Sequence, residues 1–501
     1  MPKICGFVNY DPSARVAEAF NGFAQRMGSI ERRGVKFSHF NSHGAFIGLA
    51  CAENNLSPYT VIYKNIKYTF IFDGWLENSH QLLQSIKDEL GYLPSNENDH
   101  GALAAWAYIL WGGFSPQRLC GRFSYAIYSE AVFQNSVYSP KLFIARDLIG
   151  IKPLYFSYVN NTIVFSSSVS SILSLKSTSP RLQKFGLWQI LFLNGYSITG
   201  RTVFKDIYEL QAGCCAYIDC RFDGSFRVME KRYHTVKHPK FCNYKNDPLI
   251  DSLNKMEFIE ESAPKDVDPF EDLEKCVSIT EAPYLPSNFG KFKEIYSKNP
   301  QDVLNSNIGK DTFEFTKKNY LKSFFPWIDD PYENVEYCKR ELISADEGFN
   351  YLYEIFRRNR EIFQFEEDPD ITEKRIRMCL NYFYRLPNEL KFNEKLADHY
   401  NLKIKYPYAS REVFEHYCSN PEKISTNNPN YKIEKNKNSE FENTLKQKLK
   451  AILSNSEYRI NYIIDGNKII NALDKACEFK ALRLIYLTHI WLEAYKVDFD
   501  F

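Results

Sequence analysis

Few side chains in this 501-residue sequence stand where chemistry could use them. In MPKICGFVNY, Cys5 lies close to the start and beside Gly6; it is either a nucleophilic thiol or a small buried residue that carries sulfur. ARDLIGIKPLYF (145–156) groups Arg146, Asp147 and Lys152 around Gly150. Read alone, it is a strand ending at Asp147, a turn, and a second strand started by Pro153. VLNSNIGKDTFEF (303–315) carries Ser306, Gly309 and Asp311, and read alone is a strand ending in a glycine turn. The chain has 12 cysteines but no CxxC pair, and Cys214, Cys215 and Cys220 are poorly spaced for a metal. These read as reduced cytosolic thiols that fill the core.

The elements that must position these residues differ between the two parts of the chain. The first ~230 residues alternate strand and helix signals. TVIYKNIKYTFIFDG (60–74) reads as two strands around a tight Lys64-Asn65 turn. FSYAIYSE (123–130), KLFIARD (141–147), PLYFSYVNNTIVFSSS (153–168) and CCAYID (214–219) add strands, with Asn160-Asn161 as a further hairpin turn. Residues 13–30, 78–90 and 98–112 space their apolar side chains by three and four, as helices do. The mixture predicts antiparallel sheets stacked face to face and covered by helices. Residues 231–300 turn polar, with little periodicity; from about 312 helices dominate, as at 345–363 and 473–496. Residues 425–443 read as a polar loop.

Charge excludes some functions. With 63 basic and 62 acidic residues, no net field draws nucleic acid or an anionic membrane. No apolar run has the ~18 to 20 residues that a membrane span needs, and the start has no signal pattern, so a cytoplasmic protein is expected. The 34 Tyr and 39 Phe point to packed layers and not to a disordered chain.

Several strings, in order, resemble the glutamine-dependent asparagine synthetases. ARDLIGIKPLYF is similar to that family's RDxxGxKPLYY, RLCGRFSYAIYSE (118–130) to LxGxFAFAIWD, and TIVFSSSVSSIL (162–173) to FASEIKAL. RTVFKDIYELQAGCCAYI (201–218) resembles RTIFKGIxxLPPGxxL, and FDGWLEN (72–78) resembles FNGEIYN. Further on, ITEAP (279–283) is similar to a DEP element, 303–315 to VLLSGDGGDELFGG, and 394–424 to MAHGLEVRVPFLDHxLVEFAxxLPxxxK. The resemblance implies an α/β (α+β) architecture: an N-terminal-nucleophile αββα sandwich over 1–230, a polar linker or reduced segment over 231–300, and a reduced, mostly helical synthetase-like domain over 301–501. It implies two half-reactions. Glutamine is hydrolysed to ammonia; ATP with Mg²⁺ then adenylates a carboxylate that an amine attacks.

The departures from the family pattern are as informative as the matches. The family's nucleophile is residue one of the mature chain, a cysteine that uses its own α-amino group as base. Setting MCGIAGFV on MPKICGFV without a gap puts Pro2 at that position and Cys5 at a small buried one. Cys5 could serve only after removal of Met1 to Ile4. The pocket Arg of GHRRLSI has no counterpart in GLACAEN (48–54). Asp73 stands where the family's Asn donates to the oxyanion, Gly74 is kept, and Trp75 replaces a Glu. Asp99 matches the residue that holds the substrate amine. No SGGxDS phosphate loop occurs between Gly213 and residue 303, a gap of only about 90 residues. Ser306, Gly309 and Asp311 match a second phosphate-side element, with Asp311 the one remaining Mg²⁺ ligand and Lys310 new. Lys432, Lys435 and Lys437 match the family's catalytic lysine by position alone. Arg146, Asp147 and Lys152 are expected at a corner facing the C-terminal domain, with at least one ion pair. The expected function is therefore an inactive glutaminase scaffold joined to a pseudo-synthetase that binds a partner protein or peptide. The alternative is an ATP-dependent amide ligase or macrolactam-forming cyclase that uses a substrate amine, as β-lactam synthetases and lasso-peptide cyclases do.

Overall fold

Alternation along one strand explains the layers of the first half. In the computed structural model, Gly121–Ala131 is a strand whose Phe123, Tyr125 and Ile127 point one way and Ala126 and Tyr128 the other. Both faces are buried, so this strand lies in a sheet covered on both sides. The structure describes residues 4–9, 35–42, 45–52, 59–132, 141–159, 162–175, 178–193, 196–197, 200–220, 226–234, 269–284, 303–305, 325, 335–343, 345–361, 368–400, 403–406, 408–421, 439–473 and 479–500. Over these, the chain divides into two compact units: 1–179 with 199–201 and 206–235, and 180–198 with 202–205 and 236–501.

The first unit contains β1 (Ile4–Asn9), β2 (Val35–Ser42), β3 (Ala45–Ala52), β4 (Tyr59–Tyr63), β5 (Ile66–Leu76), α1 (Ser79–Leu90), α2 (His100–Trp111), β6 (Gly121–Ala131), β7 (Lys141–Arg146), β8 (Tyr155–Val159), β9 (Thr162–Ser166) and α3 (Val169–Leu173). β11 (Ile207–Glu209), β12 (Cys214–Cys220) and β13 (Phe226–Arg232) complete it. Two six-stranded sheets form, in the orders β11-β8-β9-β1-β3-β2 and β13-β12-β7-β6-β5-β4, and every pairing is antiparallel. Between them lies one core, with Ile4 and Val8 of β1 and Phe165 of β9 meeting Ile71, Ala126 and Ile144 of the second sheet. The other face of the second sheet buries Phe70, Tyr125 and Phe143 against Leu82 and Ile86 of α1 and Leu103 to Tyr108 of α2. This is the expected sandwich.

Local signals account for much of it. The β4–β5 turn is made by Lys64 and Asn65, both at positive φ (49° and 62°), the geometry that a two-residue hairpin needs. α2 starts at Asp99, whose side chain accepts from Ala102 N at 2.9 Å. The Asn160-Asn161 turn and the helix expected at 13–30 lie outside the described residues. So does the polar loop at 425–443, except that its last residues begin a helix.

The second unit is mostly helical. It holds β10 (Arg181–Gln183), α4 (Lys184–Phe192), α5 (Pro269–Thr280), β14 (Val303–Asn305), α6 (Ala345–Glu361), α7 (Pro369–Leu380) and, after a π-helical turn, α8 (Leu386–His399). β15 (Lys403–Lys405), α9 (Arg411–Ser419), α10 (Ser439–Ser454), α11 (Gly466–Leu473), α12 (Phe479–Tyr495) and β16 (Asp498–Asp500) complete it. β10 pairs with β16 and β14 with β15, both in parallel. The last helix expected from sequence, 473–496, is α12 at 479–495; Leu473 instead ends α11.

Candidate functional site

The residues that sequence singled out in the first unit fall on β1, on β5, at the start of α2 and in the turn between β7 and β8. Cys5 is an interior residue of β1, opposite Ala50 of β3 and Ser166 of β9, and fully buried. Its nitrogen is a peptide amide, because Ile4 precedes it within the same sheet. Ile4 N donates to Ser167 Oγ at 3.1 Å, and Ser167 N donates to Ile4 O at 2.9 Å. While Ile4 precedes it, Cys5 has no α-amine to serve as base; its side chain packs as core. Pro2 lies outside the described residues. The thiols of Cys5, Cys120, Cys214, Cys215, Cys276, Cys338, Cys379 and Cys418 are free, and all of these but Cys120 are buried. Burial pushes the Cys214 and Cys215 thiols up to about 12 and about 11, which leaves them protonated and inert at neutral pH.

Asp73 is on β5, opposite Ser124 of β6, and 1% exposed. Lys152 Nζ lies 3.5 Å from its Oδ1, with the lysine side chain equally buried. Sequence placed the two in different sets; the fold joins them in one ion pair in the interior. The next residue, Gly74, has φ +147°, and a Cβ there would stand 2.1 Å from Arg122 O on β6. The strands approach too closely at this point for any side chain, so Gly74 is required by packing. Trp75 is half-exposed, and its ring centroid lies 4.1 Å from that of His100. Burial lowers the His100 pKa against the pull of Asp99, so the imidazole is neutral. Asp99 itself is engaged as the cap of α2.

ARDLIGIKPLYF is a turn whose charges are met within the first unit. The Arg146 guanidinium donates to Lys152 O (2.8 Å), Leu210 O (2.7 Å), Gly150 O (2.6 Å) and Glu209 Oε1 (2.8 Å). Asp147 Oδ1 accepts from Ile149 N and Ile151 N, and its Oδ2 accepts from Lys152 N at 2.9 Å. Burial pushes the Asp147 carboxyl up, while Arg146 and these three N–H groups hold it back. Gly150 (φ +73°) could not carry a Cβ without meeting Ala212 Cβ at 2.9 Å. Both ion pairs of this string, Arg146–Glu209 and Lys152–Asp73, are internal to the first unit.

In the second unit the matched strings come together. β14, which begins 303–315, pairs with β15, which lies inside 394–424. Lys395 Nζ, on α8, is 2.7 Å from Glu281 Oε2 of ITEAP and 2.9 Å from Thr280 O, with both charged side chains buried. Tyr196, Tyr284 and Glu389 form a second, partly buried chain, with the Tyr196 hydroxyl 3.3 Å from that of Tyr284 and 3.4 Å from Glu389 Oε1. Sequence reading did not single these residues out: Glu281 and Lys395 fell inside matched strings, but nothing in either string marks a charge for burial. Ser306, Gly309, Lys310, Asp311, Lys432, Lys435 and Lys437 lie outside the described residues. Among the described residues no group of three or more His, Cys, Asp or Glu could hold a metal, and no helix is long and apolar enough to cross a membrane.

Comparison with known proteins agrees with this geometry. Residues 4–230 match the glutamine amidotransferase domain family. The chain is similar to asparagine synthetase [glutamine-hydrolyzing] 3 of Bacillus subtilis, 28% identical over 159 residues, 32% of this chain and 24% of that protein. It is also similar to asparagine synthetase [glutamine-hydrolyzing] 1 of the same organism, 27% identical over 264 residues, 50% of this chain and 40% of that protein. The matches thus span less than half the length of either relative. Among solved structures, the allosteric regulatory enzyme of purine biosynthesis aligns at 13% identity over 46% of this chain and 49% of its own, with a TM-score of 0.32. That likeness is too slight to carry an argument.

Proposed function

Because the chain is an asparagine-synthetase-like family member with a glutamine amidotransferase domain over residues 4–230, we propose that it keeps that domain as a scaffold without glutamine hydrolysis. The observation that carries this reading is the buried Asp73–Lys152 pair in the register of the oxyanion donor. Glutamine hydrolysis develops negative charge on the amide oxygen, and it needs neutral donors already aimed there. A carboxylate repels that charge, and the lysine beside it is engaged in neutralising the carboxylate. Cys5 adds a second reason, since its amine is inside a peptide bond. Asp99 and Gly74 both have complete structural roles, so neither argues for a surviving substrate pocket.

For the second unit we propose a pseudo-synthetase that binds a peptide or a partner protein in a cytoplasmic setting. The relatives are named as glutamine-hydrolyzing asparagine synthetases, and the family resemblance implies ATP-dependent amide chemistry, but this chain has no SGGxDS string and keeps one acidic residue, Asp311, of the second phosphate element. A triphosphate needs several converging donors and a cation. The other reading, an active ATP-dependent amide ligase or macrolactam-forming cyclase, draws on the β14–β15 pair, which keeps a strand directly ahead of Ser306, Gly309 and Asp311. Calorimetric titration with ATP and Mg²⁺ separates the two. Submicromolar binding abolished by Asp311→Asn would establish the ligase; no binding at millimolar ATP is expected of the pseudo-synthetase.

A further inference from the structure

The second unit holds a cavity of 680 Å³ that none of this chemistry uses. Its floor is a staple between two segments distant in sequence. Cys338 and Ile464 form an antiparallel bridge, Lys339 N donates to Ile463 O at 2.9 Å, and Asp465 N donates to Tyr337 O at 2.8 Å. Lys468, on α11, locks the staple: its Nζ reaches Glu336 O (3.0 Å), Cys338 O (3.4 Å) and Asp465 Oδ2 (3.6 Å). Its three donors are thereby engaged, and its charge cancels that of Asp465.

What is left on the lining is a positive excess. Lys339 and Arg340 stand on the stapled turn and form no ion pair among the described residues; Glu341 is the one opposing charge. Leu453 of α10 and Ile464 supply an apolar wall, and Gly466, the first residue of α11, lines the same space. The volume lies within the range of metabolite pockets and is far more than a bare ion fills. A guanidinium presents a fork that matches phosphate oxygens, and the neighbouring ammonium adds a second point of positive charge.

We infer that this cavity is a binding site for a small phosphate monoester, with the phosphate on Lys339 and Arg340 and the organic body against Leu453 and Ile464. The lining shares no residue with the glutamine-pocket and nucleotide residues discussed above, and the inference does not rest on the proposed function. The test is calorimetric titration of the full chain with phenyl phosphate, inorganic phosphate and benzoate. Saturable binding of phenyl phosphate is expected, weaker with added salt and weaker for the other two ligands. Lys339→Ala with Arg340→Ala should weaken it about tenfold or more, and Glu341→Gln should tighten it. All three positions are solvent-accessible, and unchanged melting of the ligand-free variants confirms that they fold. Phenyl phosphate binding unaltered by the double variant, or no saturable binding, overturns the site. Equal binding of inorganic phosphate overturns the apolar wall, and equal binding of benzoate overturns the choice of phosphate.

Discussion

Replacing Lys152 by methionine removes an ammonium from the interior of the sandwich and leaves the Asp73 carboxylate there. At 3.5 Å the gross attraction is about 5 kcal/mol for an effective dielectric near 20. Desolvation of both ions offsets much of that, so the pair contributes little net stability while intact. Removing one partner is different, because the other stays buried without its counter-charge, at a cost of about 3–5 kcal/mol. Asp73→Asn with Lys152→Met should regain most of the loss. The Lys152 backbone bonds to Asp147 and Arg146 survive every one of these changes. The assay is hydrogen exchange by mass spectrometry on the β5 and β6 peptides, 66–76 and 121–131, which reads local stability without assuming that both units unfold together. For Lys152→Met these peptides should exchange between about a hundredfold and a few thousandfold faster, and the double variant should return most of the way. Exchange within about threefold of the parent for Lys152→Met, or a double variant as destabilised as the sum of the singles, would refute a coupled buried pair.

Purified protein with glutamine should release no glutamate above buffer, and Asp73→Asn, which restores the family's donor, should not change that; release by either protein would reverse the reading of Cys5. Gly74→Ala forces a Cβ to within 2.1 Å of Arg122 O and should destabilise the β5–β6 pair by at least about 3 kcal/mol, seen as soluble yield and melting temperature falling together. Asp99→Ala removes the α2 cap and should cost about 1 kcal/mol, confined to faster exchange in the first turn after His100. His100 and His489 are both held neutral by burial, below the ordinary 6.5, so the unfolded chain takes up their protons first. Stability should be complete above about pH 6.5, fall as pH drops toward the lowered folded values, and fall less in His100→Gln, as pH-dependent urea midpoints would report.

Where structure is set by neighbours in the chain, the sequence was sufficient. The Lys64-Asn65 hairpin is set within a few residues and was read from type and spacing. The Asp99 cap and the alternation of β6 are equally local, although the sequence reading did not name them. The similarity to asparagine synthetases was legible in the order of short strings. The strands β1 to β3 were not marked, although the resemblance covered them, because strand signals there are weak and pairing with distant partners decides. In α7 and α8, Arg375 and Lys395 are buried through distant partners, Cys418 O and Glu281, that the local pattern does not name. The Asp73–Lys152 pair belongs to the same class. Each residue was noted for its own string, one for a lost donor and one for a charged turn. A charge can stay in the interior only when an opposite charge meets it there, and that meeting is a property of two sheets folded onto each other, not of either segment of sequence.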